Sequence, residues 1–199
     1  MEARDGGAAA GAPGEAGAPP EGDPTAPVRV ASAAELSRHG AKVQATVHGR
    51  YVTVFNVGGA LRCLDAVCYH AGGPLTVGDI EEVDGRACVR CPWHNYIVTV
   101  ETGEKLYQAL VKTDDGKLVP GGWESVGVRQ RCHRAYEEGG EVFVALDASE
   151  GKLESDKYAK DPACGKRLMQ GGKSAMGNRL FRRGGAPMVG ADGTWRKRF

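Results

Sequence analysis

The sequence predicts an all-β domain carried between two tails of different composition. Three observations predict it. Short runs rich in Val, Ile, Thr, Phe and Tyr recur between residues 27 and 148, with Gly-containing turns between them. Helical patterning is confined to one short stretch, residues 32–40. Ala, Gly and Pro dominate residues 1–26, while Lys and Arg crowd residues 149–199, and neither end alternates as a strand does. Short strands at regular spacing suggest a small sandwich or barrel-like fold.

Residues 1–26 carry five acidic residues against Arg4, a net charge of −4, and no large apolar residue after Met1. Such a segment buries too little surface to offset its ordering entropy and is expected to be disordered. Ser32 before "AAEL" reads as a helix N-cap, with Gly40 as the stop. "VQATVHGRYVTVFNV" (43–57) reads as a hairpin turning at His48-Gly49, and "ALRCLDAV" (60–67) follows a second turn at Gly58-Gly59. "GDIEEVDG" (78–85) reads as a solvated acidic loop that could also help dock a basic reductase. "ACVRC" (87–91) and "YIVTV" (96–100) are short strands, and Gly103 supplies a turn.

"VGVRQRCHRAY" (126–136) and "EVFVAL" (141–146) form a further hairpin. In it Val126, Val128 and Cys132 share one face, while Arg129, Arg131 and His133 share the other. Residues 149–199 carry a net charge of +8 from Gly151 onward. They read as a flexible basic tail or as an arm for an acidic partner, a membrane or nucleic acid. No nucleic-acid-binding motif of defined spacing is present.

The chain has 199 residues, 41% hydrophobic content and a formal charge of +1, as expected of a soluble globular protein with one core. No run of about 18 apolar residues predicts a membrane span. The N-terminus has neither an apolar secretory core nor the basic, Ser-rich character of a transit peptide. The expected compartment is therefore the cytoplasm, where six cysteines suit metal binding better than disulfides.

The chemistry sits in two fragments, "CYHAGGPL" (68–75) and "CPWHNY" (91–96). Each offers one thiol and one imidazole, ligand types for zinc, copper or iron–sulfur centres. A zinc finger keeps its cysteines on one turn and its histidines on a helix, whereas here each loop supplies one of each. That distribution suits two metal ions side by side, each drawing on both loops. It is the ligation of a Rieske [2Fe–2S] centre, with Cys68 and Cys91 on one iron and His70 and His94 on the other. A structural zinc on the same four residues is the alternative. Gly72 and Gly73 let the backbone approach a cluster, and Pro92 stiffens the second loop. Asn95 stands where a turn needs a residue tolerant of the left-handed region. Cys63, Cys88 and Cys132 are expected to pack in the core, although Cys88 with Cys91 also spells C-x-x-C. Cys164 is expected to be exposed, and His39, His48 and His133 to sit on the surface.

"CYHAGGPL", "GDIEEVDG", "CPWHNY", "TGEKLYQ" and "GVRQRCHR" together resemble the Rieske [2Fe–2S] proteins, in particular the soluble Rieske-type ferredoxin group, over residues 27–148. The resemblance implies a fold of small antiparallel sheets with a two-loop cluster-binding tip. It implies one [2Fe–2S] cluster per chain, held by Cys68, His70, Cys91 and His94. Many relatives have Gly at the position of Asn95. High-potential relatives have a disulfide at the positions of Gly73 and Trp93, and cluster-facing hydroxyls at those of Tyr96 and Val98. Their absence implies a potential at the low end of the Rieske range, which begins at about −150 mV. The implied role is one-electron transfer between an electron-donating reductase and an electron-accepting enzyme, without a substrate site of its own. A redox or iron-responsive regulator is the alternative. A Rieske oxygenase needs a further two-His, one-carboxylate iron site, and beyond the ligand loops only His133 remains.

Overall fold

The computed structural model describes residue 23 and residues 26–169, 188–189 and 195–196. The expected disorder of the N-terminal tail lies outside the described residues, as does almost all of residues 170–199. Two antiparallel sheets make the domain. The first holds β1 (Val28–Ser32), β2 (Lys42–Val47), β3 (Arg50–Val57), β4 (Ala60–Asp65), β10 (Cys132–Glu138) and β11 (Glu141–Ala145), in the order β1-β11-β10-β4-β3-β2. The second holds β5 (Asp79–Val83), β6 (Arg86–Arg90), β7 (Ile97–Thr99), β8 (Glu104–Lys112) and β9 (Leu118–Val128), in chain order. A two-stranded pair, β12 (Met188–Val189) with β13 (Trp195–Arg196), completes the strands. The all-β class follows from the sequence as expected. In the first sheet β10 meets β4 only through Cys132↔Leu64 and His133↔Cys63, so that sheet is two small sheets sharing a short seam.

Four of the hairpins share one turn chemistry. His48 and Gly49 both have positive φ (46° and 77°), which twists the chain to match two paired strands. The same pair of positive φ values closes the turns at 58–59, 84–85 and 139–140. Ser32 starts a 3-10 turn over Ala33–Leu36, with its backbone N–H donating to Glu35 Oε2 at 2.8 Å. The turn ends at Ser37, and Leu36 is buried against the first sheet.

Phe55 and Leu64 from the first sheet, Val89, Val98 and Val100 from the second sheet and its edge, and Leu75 from the connection between them form one buried cluster. Cys68 and Cys91 belong to that cluster. The two sheets therefore pack through the base of the cysteine loops.

Several expectations are corrected. "GDIEEVDG" is not a loop. Asp84-Gly85 is a hairpin turn and Asp79–Val83 pairs with β6 along its length, with Ile80 packed against one core cluster and Val83, on the opposite face, in another. Residues 126–136 are not one strand. β9 ends at Val128 and the chain breaks from pairing, because the Gly103 carbonyl accepts both Arg129 N–H (2.9 Å) and Gln130 N–H (3.0 Å). His133 is buried, with Nδ1 accepting from Asp147 N–H and Nε2 donating to Asp65 Oδ1, both at 3.1 Å. Cys63 and Cys88 are core thiols as expected.

The basic segment after residue 148 does not begin as a flexible tail. Residues up to 169 include α1 (Asp156–Ala159) and α2 (Pro162–Met169). Cys164, expected to be exposed, is 1% accessible and packs with Leu168 on Ala66, Val67, Tyr51 and Tyr158. Gly165 lies directly against the Tyr51 ring, where no side chain would fit.

Candidate metal centre

Cys68 and His70 lie in the connection after β4, and Cys91 and His94 lie between β6 and β7. The two loops are built alike. In the first, Cys68 N–H donates to Gly73 O (2.7 Å) and Gly72 N–H to Cys68 O (3.0 Å). In the second, Cys91 N–H donates to Tyr96 O (2.8 Å) and Asn95 N–H to Cys91 O (3.0 Å). The residue four places after each cysteine is left-handed, Gly72 at φ 77° and Asn95 at φ 57°. Asn95 thus does in the second loop what glycine does in the first.

This closure aims backbone donors at sulfur. The N–H groups of His70 and Ala71 face the Cys68 sulfur, and those of Trp93 and His94 face the Cys91 sulfur. Such a nest favours negative charge. The proximity of Cys91 and burial raise the Cys68 thiol, while the proximity of Cys68 and the backbone N–H groups lower Cys91. Both sulfurs are buried, and both imidazoles are exposed at the end of the domain. The His70 and His94 rings are perpendicular, with centroids 4.8 Å apart. Desolvation, then the charges of His94 and Lys157, lower the His70 pKa.

All four residues singled out by the sequence are thus at one tip, cysteines inside and histidines outside. The space there suits a bound group. A Cβ on Gly73 would come within 2.7 Å of Cys91 Sγ and 3.2 Å of Trp93 Cγ. The Trp93 indole N–H is buried without an acceptor among the described residues. Two thiols, two imidazoles and a ring of free N–H donors fit a Rieske cluster.

Comparison with known proteins agrees. The family model described as soluble Rieske-type ferredoxin matches residues 28–149. The chain belongs to the soluble Rieske-type ferredoxin family. A human Rieske domain-containing protein is 42% identical over 118 residues, covering 59% of this chain and 74% of the human protein. Among solved structures, the ferredoxin of carbazole 1,9a-dioxygenase from Nocardioides aromaticivorans IC177 is 23% identical, with a TM-score of 0.46, covering 61% of this chain and 98% of that one. The Sphingomonas yanoikuyae B1 ferredoxin is 22% identical, with a TM-score of 0.40 and coverage of 61% and 98%. No helix among the described residues of this Rieske-type ferredoxin is long and apolar enough to cross a membrane.

Sequence reasoning missed the residues that brace the tip. Gln130 is fully buried. Its Oε1 accepts Tyr69 N–H (3.0 Å), and its Nε2 donates to Asp65 O (3.0 Å) and Val67 O (2.8 Å), fixing the chain that leads into Cys68. Asp65 is inaccessible to solvent and accepts from Arg50 Nε (2.5 Å), Arg50 Nη2 (2.8 Å), His133 Nε2 (3.1 Å) and Ser155 Oγ (2.5 Å). Arg131 donates to Asp147 Oδ2 (2.6 Å), and its Nε (2.9 Å) and Nη2 (2.8 Å) form a fork on Asp156. The "GVRQRCHR" motif held Gln130, Arg131 and His133, but their partners lie in β4, the first cysteine loop, the segment after β11 and α1.

Charge pairing holds the three aspartates ionised. The Arg131 hydrogen bond drives Asp156 far below the usual carboxylate range. Burial alone would raise Asp65 and Asp147, but hydrogen bonds from His133, Arg50 and Ser155, and from Ser149 and Arg131, outweigh it and lower both. Carboxylates with depressed folded pKa values stabilise the fold above the unfolded value of about 3.9 and lose that contribution as pH falls through the folded value. Stability in urea is expected to be level near neutrality and to decline from about pH 5 downward. Protease sensitivity after residue 148 should rise over the same range, because Asp156 anchors α1. A urea midpoint unchanged between pH 7 and pH 3 would contradict this.

Proposed function

We propose that this chain is a soluble one-electron carrier holding one Rieske [2Fe–2S] cluster. Cys68 and Cys91 bind one iron, and His70 and His94 bind the other. The chain passes electrons from a reductase to a terminal enzyme in the cytoplasm and has no substrate site of its own. One observation carries this reading: the tip sets two thiols inside the core and two imidazoles at the surface. When bound, the cluster supplies a one-electron redox couple. Four backbone N–H groups stabilise negative charge on the sulfur side, against the desolvation that burial imposes there. The exposed His70 and His94 edges bring the other side to the surface, which shortens the path to a partner.

Side-chain hydroxyls do little to stabilise the reduced state here. The Tyr96 ring stacks on His70 at 4.1 Å, and Val98 is an apolar core residue. The expected midpoint therefore lies near the low end of the Rieske range, about −150 mV. The test is electron paramagnetic resonance on dithionite-reduced protein during a redox titration, with iron and zinc assayed on the same sample. A rhombic signal with two irons per chain supports the carrier. One zinc and no signal makes the four residues a structural clip, and a clearly positive midpoint overturns the account of the potential.

A further inference from the structure

Three cations ring the exposed imidazoles, each lying on an aromatic ring that borders a ligand loop. Lys105 Nζ is 5.4 Å from the Tyr96 ring centroid, and Tyr96 stacks on His70. Lys157 Nζ is 4.8 Å from the ring of Tyr158, whose hydroxyl donates to His70 O at 3.5 Å. The Arg167 guanidinium is 5.5 Å from the Trp93 ring, which meets the His94 ring edge-on at 6.5 Å. Aromatic faces hold cations in place without cancelling their charge.

None of the three makes an ion pair among the described residues. Elsewhere on the surface Arg29, Arg62, Arg86, Arg90 and Arg129 are each matched to a carboxylate. The one carboxylate on the α1–α2 connection, Asp161, is turned to Ala163 N–H (2.8 Å) and the Cys164 thiol. Lys157 and Arg167 both lie beyond residue 149, where the family match ends.

We propose that Lys105, Lys157 and Arg167 form a cationic collar around the His70 and His94 edges, and that this collar docks an acidic surface of a partner redox protein. The proposal rests on the carrier reading above. A protein partner fits because the collar is centred on the electron's exit, so charge pairing there brings the two redox centres together. A lipid or nucleic acid bound at the same place would cover that exit. The whole chain carries a formal charge of only +1, so its total charge steers weakly. A strong salt dependence must then come from local charge.

The test is stopped-flow oxidation of the reduced full-length protein by ferricyanide, a trianion, and by hexaammineruthenium(III), a trication. One electron leaves the protein and reduces each reagent by one unit. Wild type is compared with the combined Lys105→Gln, Lys157→Gln, Arg167→Gln variant in the full chain, so the basic residues after 169 are common to both. At low salt the variant should react about tenfold more slowly with ferricyanide. With the ruthenium reagent it should react faster, and both differences should fade as salt rises. Arg167→Lys alone, which keeps the charge, should behave as wild type.

Equal rates and equal salt slopes overturn the collar. So does a variant that loses binding to phosphatidylserine vesicles while its ferricyanide kinetics stay unchanged. If the protein shows no Rieske signal, the carrier reading fails separately. The collar is then read by polyglutamate binding, followed through tryptophan fluorescence. Tighter binding by wild type upholds it, and equal binding overturns it.

Discussion

Asp65→Ala should destabilise the protein by about 3–5 kcal/mol, the cost of breaking a buried charge pair from one side. The Asp65 side chain is 0% exposed and Arg50 is 12% exposed. Removing the carboxylate leaves the Ser155 hydroxyl and His133 Nε2 without their acceptor in a region that water does not reach. Arg50 keeps Asp156 as a partner, so the charge is not stranded entirely. Asp65→Asn retains an acceptor and should fall between wild type and alanine. The measurement is urea unfolding, read as a lower midpoint at unchanged slope. A loss under about 1 kcal/mol, the scale of a surface pair, would mean that the network does not bear on the fold.

Gly73→Ala should cut cluster incorporation several-fold while leaving the domain folded. The added Cβ would stand 2.7 Å from Cys91 Sγ, against a normal non-bonded carbon contact of about 3.5–4.0 Å. The backbone cannot yield easily, because Gly73 O accepts Cys68 N–H at 2.7 Å and Gly72 N–H closes the same loop. The sulfur must move instead. The overpacking itself should cost only about 1–3 kcal/mol, so the protein should unfold cooperatively yet carry several-fold less iron. Gly122→Ala is the control, since nothing lies within 4 Å of its Cβ position. A Gly73→Ala protein with full iron content and an unaltered visible spectrum would remove the site from its assigned place.

The hairpin at 43–57, and the turn at 139–140 of the hairpin read over 126–146, were legible because their signals are local. A positive-φ dipeptide between two extended runs dictates their pairing. The acidic strand Asp79–Val83 was missed because two adjacent glutamates look like loop. Only the paired sheet shows that Ile80 packs on one of its faces and Val83 on the other. His133 and Cys164 were misjudged for a related reason. Burial depends on what covers a residue, and their covers come from Asp65 and from Ala66 and Val67, far away in the chain.

By itself the sequence determined the four candidate ligands, the two loops that carry them, the turns and the all-β class. Each is written within a few residues, through spacing, a left-handed Asn or Gly, and a period of two. The tertiary structure alone decided that the thiols lie inside and the imidazoles outside. It also decided that Gln130 and Asp65 brace the first loop, and that α1 and α2 fold back to set Lys157 and Arg167 beside the histidines. Those contacts join residues 61 to 106 positions apart. They form only when two sheets and a C-terminal segment bury the same surface, and no local pattern records such burial.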